Sequence, residues 1–196
     1  MTSLLLVSGL NAPFKKYQNL VQFLFSKGFE IMFCNIYSTP QKSEIKINPA
    51  IDINNMPNLI ITHSIACHVM LSFFELNKIE FKGKIISLDN PSLANVDIKA
   101  SIITKHNLIG EMTPTLDKKN KKEIVKQTAI INEYEKYLKC DIPPKKYNII
   151  LFRQECKTEL YSDIEYYQKI HYYTGNHFSH EEDASIMELI YLRSLI

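Results

Sequence analysis

Glycine is scarce in this 196-residue chain, with five residues at positions 9, 28, 83, 110 and 175. Neither G-x-G-x-x-G nor G-x-x-x-x-G-K-[ST] occurs, which excludes the loops whose bare backbone cradles a phosphate. Arginine is scarcer: of 23 basic residues only Arg153 and Arg193 are not lysine, and the net charge is +2. A nearly balanced chain with so few guanidinium groups lacks the bidentate donors that read phosphates and base edges, so no nucleic-acid partner is expected. The four cysteines, at 34, 67, 140 and 156, form no C-x-x-C pair and no zinc-ligand spacing, and they read as reduced thiols. No apolar run approaches the roughly 20 residues of a membrane span. The first apolar run, Leu4 to Val7, is short and has no basic residue before it. It reads as a buried strand rather than a signal segment, and a cytoplasmic location is expected.

What is present suits a soluble globular domain: 45% hydrophobic and 22% charged residues, in a length that buries a core without disulfides. Continuous apolar runs at 4–7, 29–36, 58–62, 84–88 and 147–152, with a short one at 171–174, predict strands. Between them, helical spacing runs from Phe14 to Ser26, closed by Gly28, and over 65–76 and 184–196. Ser162-Asp163-Ile164-Glu165 has the form of a capping box and predicts a helix to about Ile170. The segment 37–57, with Pro40, Pro49 and Pro57, reads as loop with room for a short helix. Residues 92–145 break the rhythm and hold a polar amphipathic helix over 118–138, with the lysine run 118–122 at its start. The expectation is a single α/β domain over 1–196, with a mainly parallel central sheet of about six strands flanked by helices and 92–145 as a candidate cap or insert.

In such a sheet ligands bind at the carboxyl ends of the strands, so the residues just beyond each strand carry the functional reading. Thr62-His63-Ser64-Ile65-Ala66 lies between a strand and a helix, the context of a G-x-S-x-G nucleophile elbow, with Thr62 and Ala66 in the glycine places. The plain alternative is that Ser64 only caps the helix. Tyr173-Thr174-Gly175-Asn176-His177-Phe178 follows the last strand and precedes the last helix. His180 reads as part of an exposed run with Glu181, Glu182 and Asp183. His63 and His68 do not share a helix face, so no metal site is expected there.

With Ser64 and His177 each beyond the appropriate strand, the chain resembles the α/β-hydrolase superfamily, and within it the small serine esterases and thioesterases with a minimal sheet and a short cap. The resemblance runs from residue 3 to the C-terminus. It implies that Ser64 is the nucleophile and His177 its base, with the backbone amides of Leu10, beyond Gly9, and Ile65 as oxyanion hole. Ser8 stands where the family usually has a histidine before that glycine. The order Ser…acid…His puts the acid after the strand 147–152, at Glu155 or, next, Glu159. Asp163 reads as a first-turn helix residue. Asp89 is a further choice, because Ser87-Leu88-Asp89-Asn90-Pro91 resembles the strand-end aspartate of one lipase branch.

The implied function is hydrolysis of a small-molecule carboxylic ester or thioester through an acyl-enzyme, by an enzyme of serine esterase, lipase or thioesterase type that needs no metal or organic cofactor. A second reading is a catalytically inactive relative that binds or interacts only. A flavodoxin-like or nucleotide-binding module, and an interaction protein using lysines 118–122, are more distant alternatives.

Overall fold

Continuously apolar strands need cover on both faces of their sheet, and this chain supplies it. The computed structural model describes residues 2–9, 12–39, 44–48, 52–90, 93, 140–155 and 163–195. Strands β1 (Thr2–Val7), β2 (Phe29–Thr39), β3 (Glu44–Asn48), β4 (Leu59–His63), β5 (Lys84–Leu88), β6 (Asn148–Gln154) and β7 (Lys169–Tyr173) form one sheet in the order β3-β2-β1-β4-β5-β6-β7. Six run parallel; β3 pairs antiparallel with β2 at the edge.

The period of two along β1 sorts its side chains to opposite faces. Leu5 and Val7 join Ile60, Ile85, Ile149 and Leu151 under helix α2 (Ala66–Leu76). Leu4 and Leu6 join Ile61, Ile86, Leu88 and Phe152 under α1 (Gln18–Ser26) and the C-terminal helix Ala184–Leu195. Gly28 ends the α1 segment at φ 91°, a left-handed conformation that favours glycine. A four-residue turn of helix, α3 (Ser179–Glu182), precedes that last helix, α4. Among the described residues no helix is long and apolar enough to cross a membrane.

Two expectations are corrected. The segment 37–57 holds a 3-10 turn, Ile53–Asn55, but also a strand that was not expected: Ile45 and Ile47 alternate with polar residues in Glu44–Asn48, and this strand pairs with the extended end of β2, Asn35 opposite Asn48 and Thr39 opposite Glu44. The helix expected over 162–170 is one 3-10 turn, Ile164–Tyr166, because Ile170 is drawn into β7 opposite Leu151 and the Asp163 carboxylate does not cap a helix. The expected polar helix at 118–138, the lysine run 118–122 and most of the candidate cap 92–145 lie outside the described residues. Of that cap, Ile142 is buried in the core under α2.

The chain builds outward from β1 to β2 and β3, then returns to β4 and builds the other way. The sheet therefore reverses direction between β1 and β4, and a crevice at such a point opens at the carboxyl ends of those two strands.

Candidate active site

Ser64 stands at that crevice, on the turn between β4 and α2, with φ 55°. A serine in the left-handed region is uncommon and costs on the order of 1 kcal/mol or more, so it persists only where the surroundings hold it. Its amide donates to the carbonyl oxygen of Leu88 at the end of β5, 2.8 Å away. The residue before α2 is Ile65, and no side chain caps the helix, so Ser64 is not there as a cap. The amide of Ile65 opens the helix, where N–H groups have no intrahelical partner.

Neither missing elbow glycine prevents this turn. Thr62 and Ala66 are both fully buried. Thr62 lies within β4, opposite Val7 of β1 and Ser87 of β5, so the sheet accommodates its branched side chain. The close approach falls on Gly9 instead. A Cβ there would lie 2.9 Å from Nδ1 of His63 and 3.3 Å from Cβ of Ser64, so the loop after β1 fits over the elbow only as glycine. Ser8, fully buried, joins β1 to β2: its hydroxyl accepts from the Ile36 amide at 3.2 Å and donates to Oδ1 of Asn35 at 2.9 Å. Leu10 lies outside the described residues.

His177 occupies the loop between β7 and α3, and its Nδ1 is hydrogen-bonded to Oδ2 of Asp89. Asp89 is fully buried and the imidazole is 38% exposed, so the ring is backed by a carboxylate and open on its other side. Asp89 also has a positive φ, 49°, which turns its side chain off the end of β5, and its Oδ1 accepts from the Gln154 amide at 3.3 Å. Glu155 takes no such place: it is exposed at the end of β6. Glu159 lies outside the described residues. The carboxylate that meets His177 is the one ranked below both in the sequence.

No protein-family model matches this chain, and no curated protein matches it in sequence. Among solved structures it is similar to thioesterase domains. One is the NocB thioesterase domain in covalent complex with a fluorophosphonate nocardicin G analog, at TM-score 0.59 and 12% identity, covering 100% of this chain and 95% of that one. Another is the Vlm2 thioesterase domain bound with a dodecadepsipeptide, at TM-score 0.52 and 16% identity, covering 99% and 96%. A third is the thioesterase domain from the curacin biosynthetic pathway, at 0.51 and 12%, covering 97% and 90%. The chain has the α/β-hydrolase fold. At these identities the likeness is one of fold.

Within this α/β-hydrolase fold, the histidine loop is held from several sides. Nε2 of Gln154 donates to the Gly175 carbonyl at 3.0 Å. Gly175 sits at φ 141°, and a Cβ there would overlap the Ser179 hydroxyl, which accepts from the Asn176 amide at 2.8 Å. Glu181, expected to be exposed, is buried. Its carboxylate accepts from the amides of Asn19 and Leu20 at 2.7 and 3.1 Å and so caps α1 from a distant part of the chain, where a negative charge suits the helix N-terminus. His180 is buried as well, 2% exposed, stacked on Tyr17 and facing His63 with ring centroids 4.7 Å apart. Burial, with His177 nearby, pushes its pKa down to about 4.

A buried ion pair links β6 to the 3-10 turn that precedes β7. Arg153 donates to both carboxylate oxygens of Asp163 at 2.9 and 3.0 Å, and Oδ2 also accepts from the Leu93 amide and the Tyr167 hydroxyl. Asp163 is thus a structural residue tying β6 to the chain around Leu93. Cys67 is buried, and burial pushes its thiol up to about 11, so it stays protonated. Among the described residues no group of three or more His, Cys, Asp or Glu side chains could hold a metal ion. A cavity of about 360 Å³ opens beside the histidine loop, lined by Gln154, Glu155, Tyr173, Thr174 and Gly175.

Proposed function

We propose that this protein is a serine hydrolase that cleaves a carboxylic ester or thioester through an acyl-enzyme. The observation that carries this reading is the conjunction of a serine at φ 55° on the β4–α2 turn with a histidine–carboxylate pair whose carboxylate follows the adjacent strand β5. A structural serine needs no left-handed backbone, and a solvated loop histidine needs no buried aspartate behind it. The acid in this proposal is Asp89, which keeps the chain order Ser64, Asp89, His177.

Asp89 accepts a hydrogen bond from Nδ1–H and so fixes the tautomer, leaving Nε2 as the base. Nε2 takes the proton of the Ser64 hydroxyl as Oγ attacks the acyl carbonyl, and the imidazolium is stabilised by the buried carboxylate. The amides of Ile65 and Leu10 receive the developing oxyanion. His177 returns the proton to the departing alcohol or thiol, and water, activated by the same ring, releases the acid. Likeness in fold to thioesterase domains supports an acyl substrate.

The test is reaction with a fluorophosphonate probe, together with turnover of short-chain 4-nitrophenyl esters and acyl thioesters. Labelling at Ser64, absent in Ser64→Ala, is expected. A wild-type chain that neither labels nor turns over these substrates leaves the fold without this chemistry.

A further inference from the structure

His63 is not part of the proposed triad, yet it bonds to loops on two sides of Ser64. The Gly9 amide donates to the Tyr17 hydroxyl at 2.7 Å, that hydroxyl meets Nδ1 of His63 at 2.8 Å, and Nε2 of His63 meets the carbonyl oxygen of His177 at 2.9 Å. For a neutral imidazole the directions follow. A carbonyl oxygen only accepts, so Nε2 carries the proton. A neutral imidazole then offers Nδ1 as acceptor, and the tyrosine hydroxyl, already accepting from an amide, donates its proton there. The bonds run in one sense, an arrangement in which each polarises the next. Their members come from the loop after β1, the turn into α1, the end of β4 and the loop after β7.

We propose that His63 is a positioning residue: with Tyr17 it ties the Gly9 loop and the His177 loop to the strand end that carries Ser64. The proposal rests on the Ser64–His177–Asp89 reading. Its force comes from adjacency. His63 is the residue before Ser64, and the Gly9 loop passes so close that a methyl group would meet both side chains. A shift of the imidazole therefore moves the oxyanion loop and the base together relative to Oγ. The ring must also stay neutral. Burial, with His180 and His177 facing it, holds its pKa well below the usual histidine range. A proton on Nδ1 would reverse the bond to Tyr17 and place a positive charge beside the ring of His177, whose centroid is 4.3 Å away.

The experiment compares Tyr17→Phe, His63→Phe and His63→Gln with wild type, with kcat expressed per site titrated by the fluorophosphonate. Tyr17→Phe and His63→Phe are expected to lower kcat by about tenfold to a hundredfold with KM within about threefold, the cost of misplacing reacting groups. His63→Gln, which keeps a donor toward the His177 carbonyl, recovers part of the loss. Hydrogen exchange at the Gly9 amide, slow in wild type, becomes fast in Tyr17→Phe. A purely structural role would lower the titratable fraction and leave kcat per site unchanged. Should His63→Phe fail to fold, Tyr17→Phe and His63→Gln decide the matter. A labelled wild type whose variants keep wild-type kcat per site overturns this proposal alone; an unlabelled wild type removes the nucleophile reading and this proposal with it.

Discussion

Asp89 and His177, 88 residues apart in sequence, meet at the carboxyl edge of the sheet with Oδ2 of one bound to Nδ1 of the other. Asp89 is reached because β5 lies directly beside β4, so the residue that ends β5 stands next to the turn bearing Ser64. The Ser64 amide bound to the Leu88 carbonyl fixes that spacing.

This pairing separates the carboxylates by experiment. Asp89→Asn preserves shape but removes the charge that holds the tautomer and stabilises the imidazolium, and should lower kcat by roughly a thousandfold or more. Glu155→Gln, exposed beside the 360 Å³ cavity, should leave kcat within about twofold. Ester hydrolysis by the two purified variants checks both. Equal losses would return Glu155 to the triad.

The buried imidazole of His180 makes stability depend on pH. Its folded pKa of about 4 lies below the ordinary histidine value of 6.5, so the unfolded chain binds the proton more readily. The contribution is complete above pH 6.5 and is lost as pH falls toward 4, amounting to about 3 kcal/mol at pH 4. His180→Phe, which keeps a ring against Tyr17, should flatten the fall in Tm between pH 7 and pH 4. An unchanged slope would mean that other groups carry it.

The Arg153–Asp163 pair should behave as structure rather than chemistry. Both side chains are buried, and Asp163→Asn leaves the guanidinium without its counter-charge, a loss of about 3–5 kcal/mol in urea unfolding. Where the variant remains folded, kcat per titrated site should stay within about threefold. Arg153→Met combined with Asp163→Leu should recover part of the stability, since an apolar pair asks for no desolvated charge.

Much of this arrangement was legible in the chain. Apolar runs located six of the seven strands, and β5 over 84–88 matched to the residue. The strand-end places of Ser64 and His177 were visible because a small polar residue and a Gly-x-His pattern stand out locally after a strand. The carboxylate that meets His177 was harder to see. Glu155, Glu159 and Asp89 all lie near strand ends, and only the lateral order of strands, which no local pattern encodes, says that β5 delivers its carboxylate to the ring. Ser162 and Glu165 had the spacing of a capping box with Asp163 in its first turn, but Arg153, ten residues earlier, holds the Asp163 carboxylate in the interior. His180 and Glu181 looked solvated for the same reason: a His-Glu-Glu-Asp run is polar in composition, while its burial depends on α1, far away in sequence. Tyr17 followed helical spacing and read as core, which it is; its hydroxyl acquires a role only where Gly9 and His63 converge on it.

The glycines absent from positions 62 and 66 give the last prediction. In a G-x-S-x-G turn they relieve crowding where strand, serine and helix meet, so restoring them is the obvious change to try for higher turnover. Here Ser64 already holds φ 55° with Thr62 and Ala66 in place, and the contact that demands glycine has passed to Gly9. Thr62→Gly would remove a buried side chain from β4 and free backbone that the strand must order, costing about 1–2 kcal/mol. Ala66→Gly would weaken the first turn of α2 by up to about 1 kcal/mol. Neither should raise kcat. Gly9→Ala should leave the sheet intact but push its methyl against His63 and Ser64, and lower kcat per titrated site by at least about tenfold. Circular dichroism melts and fluorophosphonate titration on the three variants check these outcomes. A gain in turnover for Thr62→Gly, or full activity in Gly9→Ala, would place the tight contact of this elbow back at the positions where the glycines are missing.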